Sequence, residues 1–234
     1  MKFLLLQFGC FVLYSFLGWA CETIFCSFAR KRFINRGFLN GPFCPIYGFG
    51  ALLVLNLFGR YQDDLLALFL LSIIVTSAVE YVTSFVLEKL FHLSLWDYSG
   101  RKWNINGRVC LRNSLLFGVL SVLMVRVIHP WVIQMFEALP PWLIVTLLSV
   151  LAAYFIADLA VSAAALVRIN RVAGRRQLEL EQLTGLRNEI RSQSRERLHM
   201  VHKRLLKAFP NMKSPHFPEA LQEMQELIKK RKKK

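Results

Sequence analysis

Long apolar stretches separated by short polar connections dominate residues 1–167. An α-helix needs about 20 consecutive apolar residues to cross the hydrocarbon core of a bilayer. Five stretches approach or exceed this length, which predicts an all-α, polytopic membrane helical bundle of about five transmembrane helices. The predicted spans are residues 3–28, 43–59, 65–91, 113–136 and 141–167.

The second stretch is the shortest of the five. It follows the sequence Gly41-Pro42-Phe43-Cys44-Pro45, in which glycine and proline disfavour a regular helix. The pattern is therefore compatible with a broken or re-entrant entry into the membrane.

The charge of the chain is concentrated after the fifth stretch. Residues 1–167 hold 12 Lys/Arg and 8 Asp/Glu, a net charge of +4, whereas residues 168–234 hold 18 and 7, a net charge of +11. The whole chain is 55% hydrophobic and only 19% charged, which excludes an ordinary soluble domain. We therefore predict a transmembrane domain, residues 1–167, followed by a cytoplasmic basic helical tail, residues 168–234.

The tail carries the periodicity of a soluble helix from about residue 165 to residue 208. Leu183, Leu186 and Ile190 form an apolar seam on this otherwise charged helix. A helix that projects alone into water cannot bury such a seam. It must pack on the cytoplasmic loops or pair with a second copy, and we favour the second arrangement, a homodimer.

Basic residues in the short connections predict the orientation of the chain. The connections after the first and third stretches are basic, with four Lys or Arg each: Arg30, Lys31, Arg32 and Arg36, then Arg101, Lys102, Arg108 and Arg112. The second connection balances Arg60 against Asp63 and Asp64, and the fourth has neither Lys nor Arg. The N-terminus is therefore predicted outside the cell and the C-terminus inside, as five spans require.

Four ionisable residues lie inside apolar stretches, namely Glu22, Glu80, Arg126 and Asp158. Such groups are costly in hydrocarbon, so they usually face a bundle interior or a polar cavity. The three acids fall in the inner half of the membrane and outnumber the buried base. This favours a substrate or ion site, and ordinary helix packing with buried ion pairs is the alternative.

The third connection mixes aromatic, amide and charged groups. Trp96 and Tyr98 suit an interfacial anchor, whereas the polar side chains beside them suit the inner mouth of a polar site. Arg108 and Arg112 are predicted to be the nearest cations for Glu22 and Glu80. The candidate substrate- or ion-binding residues are Glu22, Glu80, Asp97, Asn106, Arg108, Arg112, Asn113 and Asp158.

The five cysteines show no CxxC or Cys/His spacing, so neither a metal nor a cofactor is expected. Structural thiols are the favoured interpretation. Cys26, Cys44 and Cys110 fall near one membrane face, which leaves a metal or redox cluster as the alternative.

Several motifs resemble a known family: Tyr14-x3-Gly18-x3-Glu22, the run from Arg36 to Gly48, Glu80, Trp96-Asp97-Tyr98-Ser99 and Asn106-Gly107-Arg108-Val109-Cys110-Leu111. Together they resemble the putative ABC-transporter permease family of small bacterial membrane proteins, common in Firmicutes. The resemblance covers roughly residues 5–167. It implies a multi-pass protein of the bacterial cytoplasmic membrane.

Three functions are compatible with this sequence. The first is a permease or transporter-like component with an acidic, polar site on the cytoplasmic side. The second is an integral membrane enzyme that acts on lipid or lipid-linked phosphate, and the third is a scaffold that recruits partners through its basic tail. The sequence lacks Walker A, HExxH, GxSxG and GxGxxG motifs, so enzyme activity is less favoured and an ABC permease would need a separate ATPase subunit.

The chain ends in a run of six basic residues: Lys229, Lys230, Arg231, Lys232, Lys233 and Lys234. Such a run attracts anionic lipid headgroups. It lacks the interleaved aromatic residues of nucleic-acid-binding segments, so nucleic acid is not an expected partner.

Overall fold

The computed structural model describes residues 2–29, 31, 33–183, 205–206, 208–209, 212–214, 218, 221–222 and 224–225. The helices are α1 (Lys2–Ala29), α2 (Pro45–Phe58), α3 (Leu65–Phe91), α4 (Leu111–Leu123), α5 (His129–Ala138) and α6 (Pro141–Leu183). Strands β1 (Asn104–Ile105) and β2 (Val109–Cys110) pair antiparallel, with Asn104 opposite Cys110. The predicted all-α membrane bundle is confirmed.

In the described part of the chain, four helical stretches are long and apolar enough to cross a membrane: Phe3–Phe28, Leu65–Phe91, Leu111–Ala138 and Pro141–Arg175. The second predicted span is shorter. Helix α2 has 14 residues, which is about 21 Å at 1.5 Å per residue, against a hydrocarbon core of about 30 Å. This helix begins at Pro45, just after Gly41-Pro42. It does not extend further towards the N-terminus, because proline has no N–H to donate and its ring would clash with a preceding helical turn.

Residues 33–44 form a non-helical segment that returns along α1, with bends at residues 37–42, and we call it the re-entrant segment. The Arg36 N–H donates to Thr23 Oγ1 at 3.2 Å, and the Cys44 N–H donates to the Ser15 carbonyl oxygen at 2.9 Å. The segment thus runs from near the C-terminal end of α1 to its middle. Non-helical backbone at membrane depth is tolerated only where protein or a polar cavity surrounds it.

Helix α2 continues this return towards the start of α1. A Cβ added to Gly48 would lie 2.6 Å from the Phe11 carbonyl oxygen, so only glycine permits this close approach. Further on, the amides of Asn56 and Gln7 bond each other in both directions at 3.1 Å. The re-entrant segment and α2 together therefore occupy the place of the second predicted span.

Helices α4 and α5 are joined by a π-helical turn, Met124–Ile128. Pro130 accounts for this turn, because it lacks an N–H and its ring crowds the carbonyl of Arg126 four residues earlier. The His129 N–H bonds the first carbonyl of the turn instead. The His129 Nδ1 atom also lies 2.8 Å from the Tyr14 hydroxyl, which ties this span to α1.

Residues 33–36 and the connection 92–110 lie at one end of the bundle, which we call the inner end because the orientation prediction assigns them to the cytoplasm. The described C-terminal residues pack here, where Lys213 and Ser94 form an antiparallel bridge with N···O distances of 2.8 and 3.0 Å. A buried apolar cluster joins them to the bundle, and its members include Leu93, Leu95, Leu166, Ile169, Leu205, Phe209, Leu221 and Met224. The side chains of the predicted seam (Leu183, Leu186 and Ile190) and the terminal run 229–234 lie outside the described residues.

Candidate functional site

A cavity of about 350 Å³ lies among α1, the start of α2, α3, α4 and the connections of the inner end. We call it the polar cavity, because Glu22, Arg36, Glu80 and Tyr98 all line it although most of its wall is apolar. Glu22 and Glu80 are predicted at a similar depth on separate helices. The structure brings both onto this one cavity.

Glu22 has a cationic partner inside the cavity. The Arg36 Nε atom donates to Glu22 Oε1 at 3.1 Å, and both side chains are largely buried. The Cys44 Sγ atom lies 4.0 Å from the second carboxylate oxygen. Arg36 comes from the re-entrant segment, so the backbone path of that segment is what delivers the cation to Glu22.

Glu80 is 5% exposed and has no such partner. Within the described residues, its Oε2 atom is buried without a hydrogen-bond partner, and no Lys or Arg forms an ion pair with its carboxylate. The Tyr98 hydroxyl is its hydrogen-bonding neighbour. Glu80 is therefore a buried carboxyl group that faces the cavity with one oxygen uncommitted.

Tyr98 reaches this site from the connection after α3. Burial raises the pKa of its hydroxyl far above the ordinary value, and the carboxylates of Glu80 and Glu22 raise it further. The hydroxyl therefore keeps its proton and acts as a donor towards Glu80. It fixes one carboxyl oxygen and leaves the other free for a ligand.

The carboxylate of Asp158, the third predicted acid, binds backbone N–H groups. Its Oδ1 atom accepts the Asn40 N–H at 2.9 Å and its Oδ2 atom accepts the Gly41 N–H at 2.7 Å. The Ser162 hydroxyl adds a bond at 3.3 Å. Asp158 is absent from the lining of the polar cavity. Asp158 thereby provides acceptors for two backbone N–H groups of the re-entrant segment, as non-helical backbone within a membrane bundle requires.

Asn106 and Arg108, two predicted site residues of the third connection, lie outside the cavity lining. Arg108 pairs with Glu88 at 2.8 Å and also donates to the Tyr81 hydroxyl at 3.2 Å. The Asn106 amide donates to the same hydroxyl at 3.0 Å. These contacts join the β-hairpin to the inner end of α3.

Asp97, Arg112 and Asn113 are also apart from the cavity lining. Asp97 accepts bonds from Ser99 and pairs with Lys213 at 2.5 Å. Partial desolvation opposes ionisation, but the bonds from Lys213 and Ser99 hold the pKa of Asp97 below its ordinary value. Arg112 is exposed and Asn113 is half-buried at the start of α4.

Arg126, the one base that the sequence placed inside a span, points away from the cavity. Its guanidinium bonds Asp63 Oδ1 and the Gln62 carbonyl oxygen, both at 2.9 Å. Asp63 is exposed, so this pair lies at the surface near the start of α3. In the described residues no group of three or more His, Cys, Asp or Glu is arranged to hold a metal, and none of the five cysteines forms a disulfide with another.

Two residues of the cavity, Arg36 and Tyr98, were not among the predicted site residues, although the sequence contained an indication of each. Arg36 was counted as a loop residue that sets orientation, yet the glycines and prolines after it already indicated a chain that re-enters the protein. Tyr98 was assigned to the membrane interface as an anchor. Both lie in the connections that converge at the inner end, and both reach the cavity.

Comparison with known proteins agrees with this architecture. No curated protein and no solved structure matches the chain. A family model described as "Putative ABC-transporter type IV" matches residues 9–163, about two thirds of the chain, including most of α1, all of α2 to α5 and most of the membrane part of α6. The protein is thus a transporter-like membrane protein, and it belongs to this ABC-transporter family.

Proposed function

We propose that this chain is the membrane-spanning component of a transporter and that the polar cavity is its solute- or ion-binding site. Glu80 is the observation that carries the proposal. Its carboxyl group is buried, faces the cavity and has one oxygen without a partner in the described residues. An ionised carboxylate in such surroundings is costly unless a cation or a proton accompanies it.

The different partners of the two acids, Glu22 and Glu80, support this function. Glu22 is neutralised by Arg36, so the pair adds polarity to the cavity without net charge. Glu80 is left as the group that exchanges its partner. A transporter needs such a group, because a ligand must bind well enough to enter and weakly enough to leave.

The broken second crossing supports it as well. Helix α2 begins at the cavity wall, where Pro45 and Ile46 line the space. Discontinuous helices that begin within the membrane recur at the binding sites of secondary transporters. Here the re-entrant segment brings both the start of α2 and the Arg36 cation to one place.

We further propose the assembly in which this component works. The ABC-transporter family suggests an ATPase partner, and this chain, which lacks a Walker A sequence, would receive that ATPase at its inner end. The membrane is the bacterial cytoplasmic membrane, with anionic lipid held by Lys229–Lys234. A homodimer would give the permeation pathway twice the number of crossings.

Cys44 provides a direct test of whether solutes reach the cavity. Variants that keep either Cys44 or Cys10 as their single cysteine are purified in lipid nanodiscs and treated with a small thiol reagent. Both thiols are buried, at 4% and 3% exposure, but only Cys44 lines the cavity. We expect Cys44 to react at least about tenfold faster than Cys10, since only its thiol borders a space that solutes enter.

The same rates, measured again with the small-molecule fraction of a cell extract, test for binding. A bound solute should slow the reaction of Cys44 and leave that of Cys10 unchanged. Equal rates for the two thiols would contradict a cavity that solutes can enter. No slowing by any extract would contradict a binding site in it.

A further inference from the structure

We infer that the ligand of the polar cavity is a small organic cation, an ammonium group carried on an apolar body. This inference rests on the proposed function and specifies its substrate class. It follows from three properties of the described residues, namely the charge of the cavity, its aromatic wall and its size.

The charged groups of the cavity sum to one negative charge when they are ionised. Arg36 balances Glu22 at 3.1 Å, and Glu80 is not balanced by any described Lys or Arg. Tyr98 donates to Glu80 but brings no charge. The unpaired carboxylate of Glu80 would therefore repel an anionic ligand, whereas a cationic ligand would neutralise it.

The aromatic wall favours an organic cation. Seven aromatic residues border the cavity: Tyr14, Phe38, Tyr47, Trp96, Tyr98, Phe117 and Phe209. Aromatic faces attract ammonium groups, and quaternary ammonium ligands are commonly bound in aromatic cages. A metal ion would instead need a closed set of oxygen ligands, and the described residues contain no such cluster.

The size of the cavity fits the same class. Its volume of about 350 Å³ is at the small end of the range of about 300–1,000 Å³ that is typical of small-molecule sites. Most of the wall is apolar, which suits the body of the ligand rather than a hydrated inorganic ion.

Choline and two carbon isosteres provide a matched test of charge. Choline is cationic, 3,3-dimethylbutan-1-ol is neutral, and 3,3-dimethylbutanoate is anionic, at similar shape. We expect radiolabelled choline to bind the full chain in nanodiscs by equilibrium dialysis, and each isostere to compete at least about tenfold more weakly. Choline should also slow the labelling of Cys44.

Glu80→Gln should weaken choline binding at least about tenfold, and Glu88→Gln, which changes an acid on the same helix outside the cavity, should not. Competition by the neutral alcohol as strong as by choline, or unaltered binding to Glu80→Gln, would overturn the cation assignment. If choline fails to bind while the cell extract still protects Cys44, the substrate class is wrong and the proposed function stands. If neither protects Cys44, both fall.

We also infer that the described C-terminal residues form a lid over the inner mouth of the cavity. Phe209 is part of the cavity wall although it lies far along the chain. The Arg36 guanidinium donates to the Ala208 carbonyl oxygen and lies 5.1 Å from the centre of the Phe209 ring. The residue that neutralises Glu22 is thus also the contact of the lid.

The lid is held at a second point. Lys213 pairs with Asp97 at 2.5 Å, and its backbone bridges Ser94. Lys213 is 66% exposed, so this ion pair contributes little stability and is easily released. A partner that competes for Lys213 or Asp97 at the inner end would release this point, so that opening of the lid has only the apolar contacts of the buried cluster to overcome.

The rate of Cys44 labelling measures this opening. Lys213→Glu removes the pair and adds repulsion with Asp97, so we expect labelling about threefold to fivefold faster. Lys213→Arg keeps the charge and should label at the wild-type rate. Phe209→Ala should raise the labelling rate of Cys44 above that of Lys213→Glu, because Phe209 is part of the cavity wall. Unchanged labelling in both Lys213→Glu and Phe209→Ala would overturn the lid.

Discussion

Replacing Asp158 with alanine should lower the free energy of unfolding by about 3–5 kcal/mol, because two hydrogen bonds from backbone N–H groups to a charged acceptor are each worth about 1.5–3 kcal/mol. The N–H groups of Asn40 and Gly41 would lose their acceptor at 2.9 and 2.7 Å. Both lie in the re-entrant segment, and Asp158 itself is only 7% exposed, so we expect the two N–H groups to lack a replacement acceptor. Reversible unfolding in mixed micelles measures the loss.

Leu159→Ala is the matched control. Leu159 follows Asp158 on α6 and is 51% exposed on the outside of the bundle. Lipid can fill the space that the shortened side chain leaves there. Its effect should stay below about 1 kcal/mol. Asp158→Asn keeps one carbonyl acceptor and should fall between the two. Equal destabilisation by Asp158→Ala and Leu159→Ala would show that the carboxylate does not hold the segment.

The membrane helices could be predicted from the sequence because each is a local property of its own residues. Four of the five predicted spans match helices long enough to cross a membrane. The second differs because a window of apolar residues does not report where the helix begins. Gly41, Pro42 and Pro45 indicated a break there, but the position of the break beside Ser15 depends on contacts distant in sequence.

The buried acids could also be predicted, because an ionisable residue is rare in an apolar stretch. Their partners could not. Arg36 reaches Glu22 only through the path of the re-entrant segment, and Asp158 binds backbone N–H groups, which every residue except proline offers and which no motif marks. The two acids that share the cavity and the acid that holds backbone therefore look alike in the sequence.

Glu80→Gln should remove most of the transport that we propose for this protein and leave the protein in the membrane at its normal level. Glutamine keeps the shape of the side chain and an oxygen for the Tyr98 hydroxyl, so the fold is retained. It removes the charge that would attract a cation. A pair of unit charges at 4 Å is worth about 4 kcal/mol at an effective dielectric constant of about 20, so we expect a loss of at least about tenfold after the cost of ligand desolvation.

The most direct measurement compares the solute content of cells that lack this gene with that of cells carrying wild-type, Glu80→Gln or Glu88→Gln protein at matched membrane levels. Glu88 is the control because it lies two turns further along α3, paired with Arg108 at 2.8 Å and outside the cavity lining. We predict that wild type and Glu88→Gln restore the solutes that change on deletion, and that Glu80→Gln does not. Full restoration by Glu80→Gln would contradict the assignment of the polar cavity as the binding site.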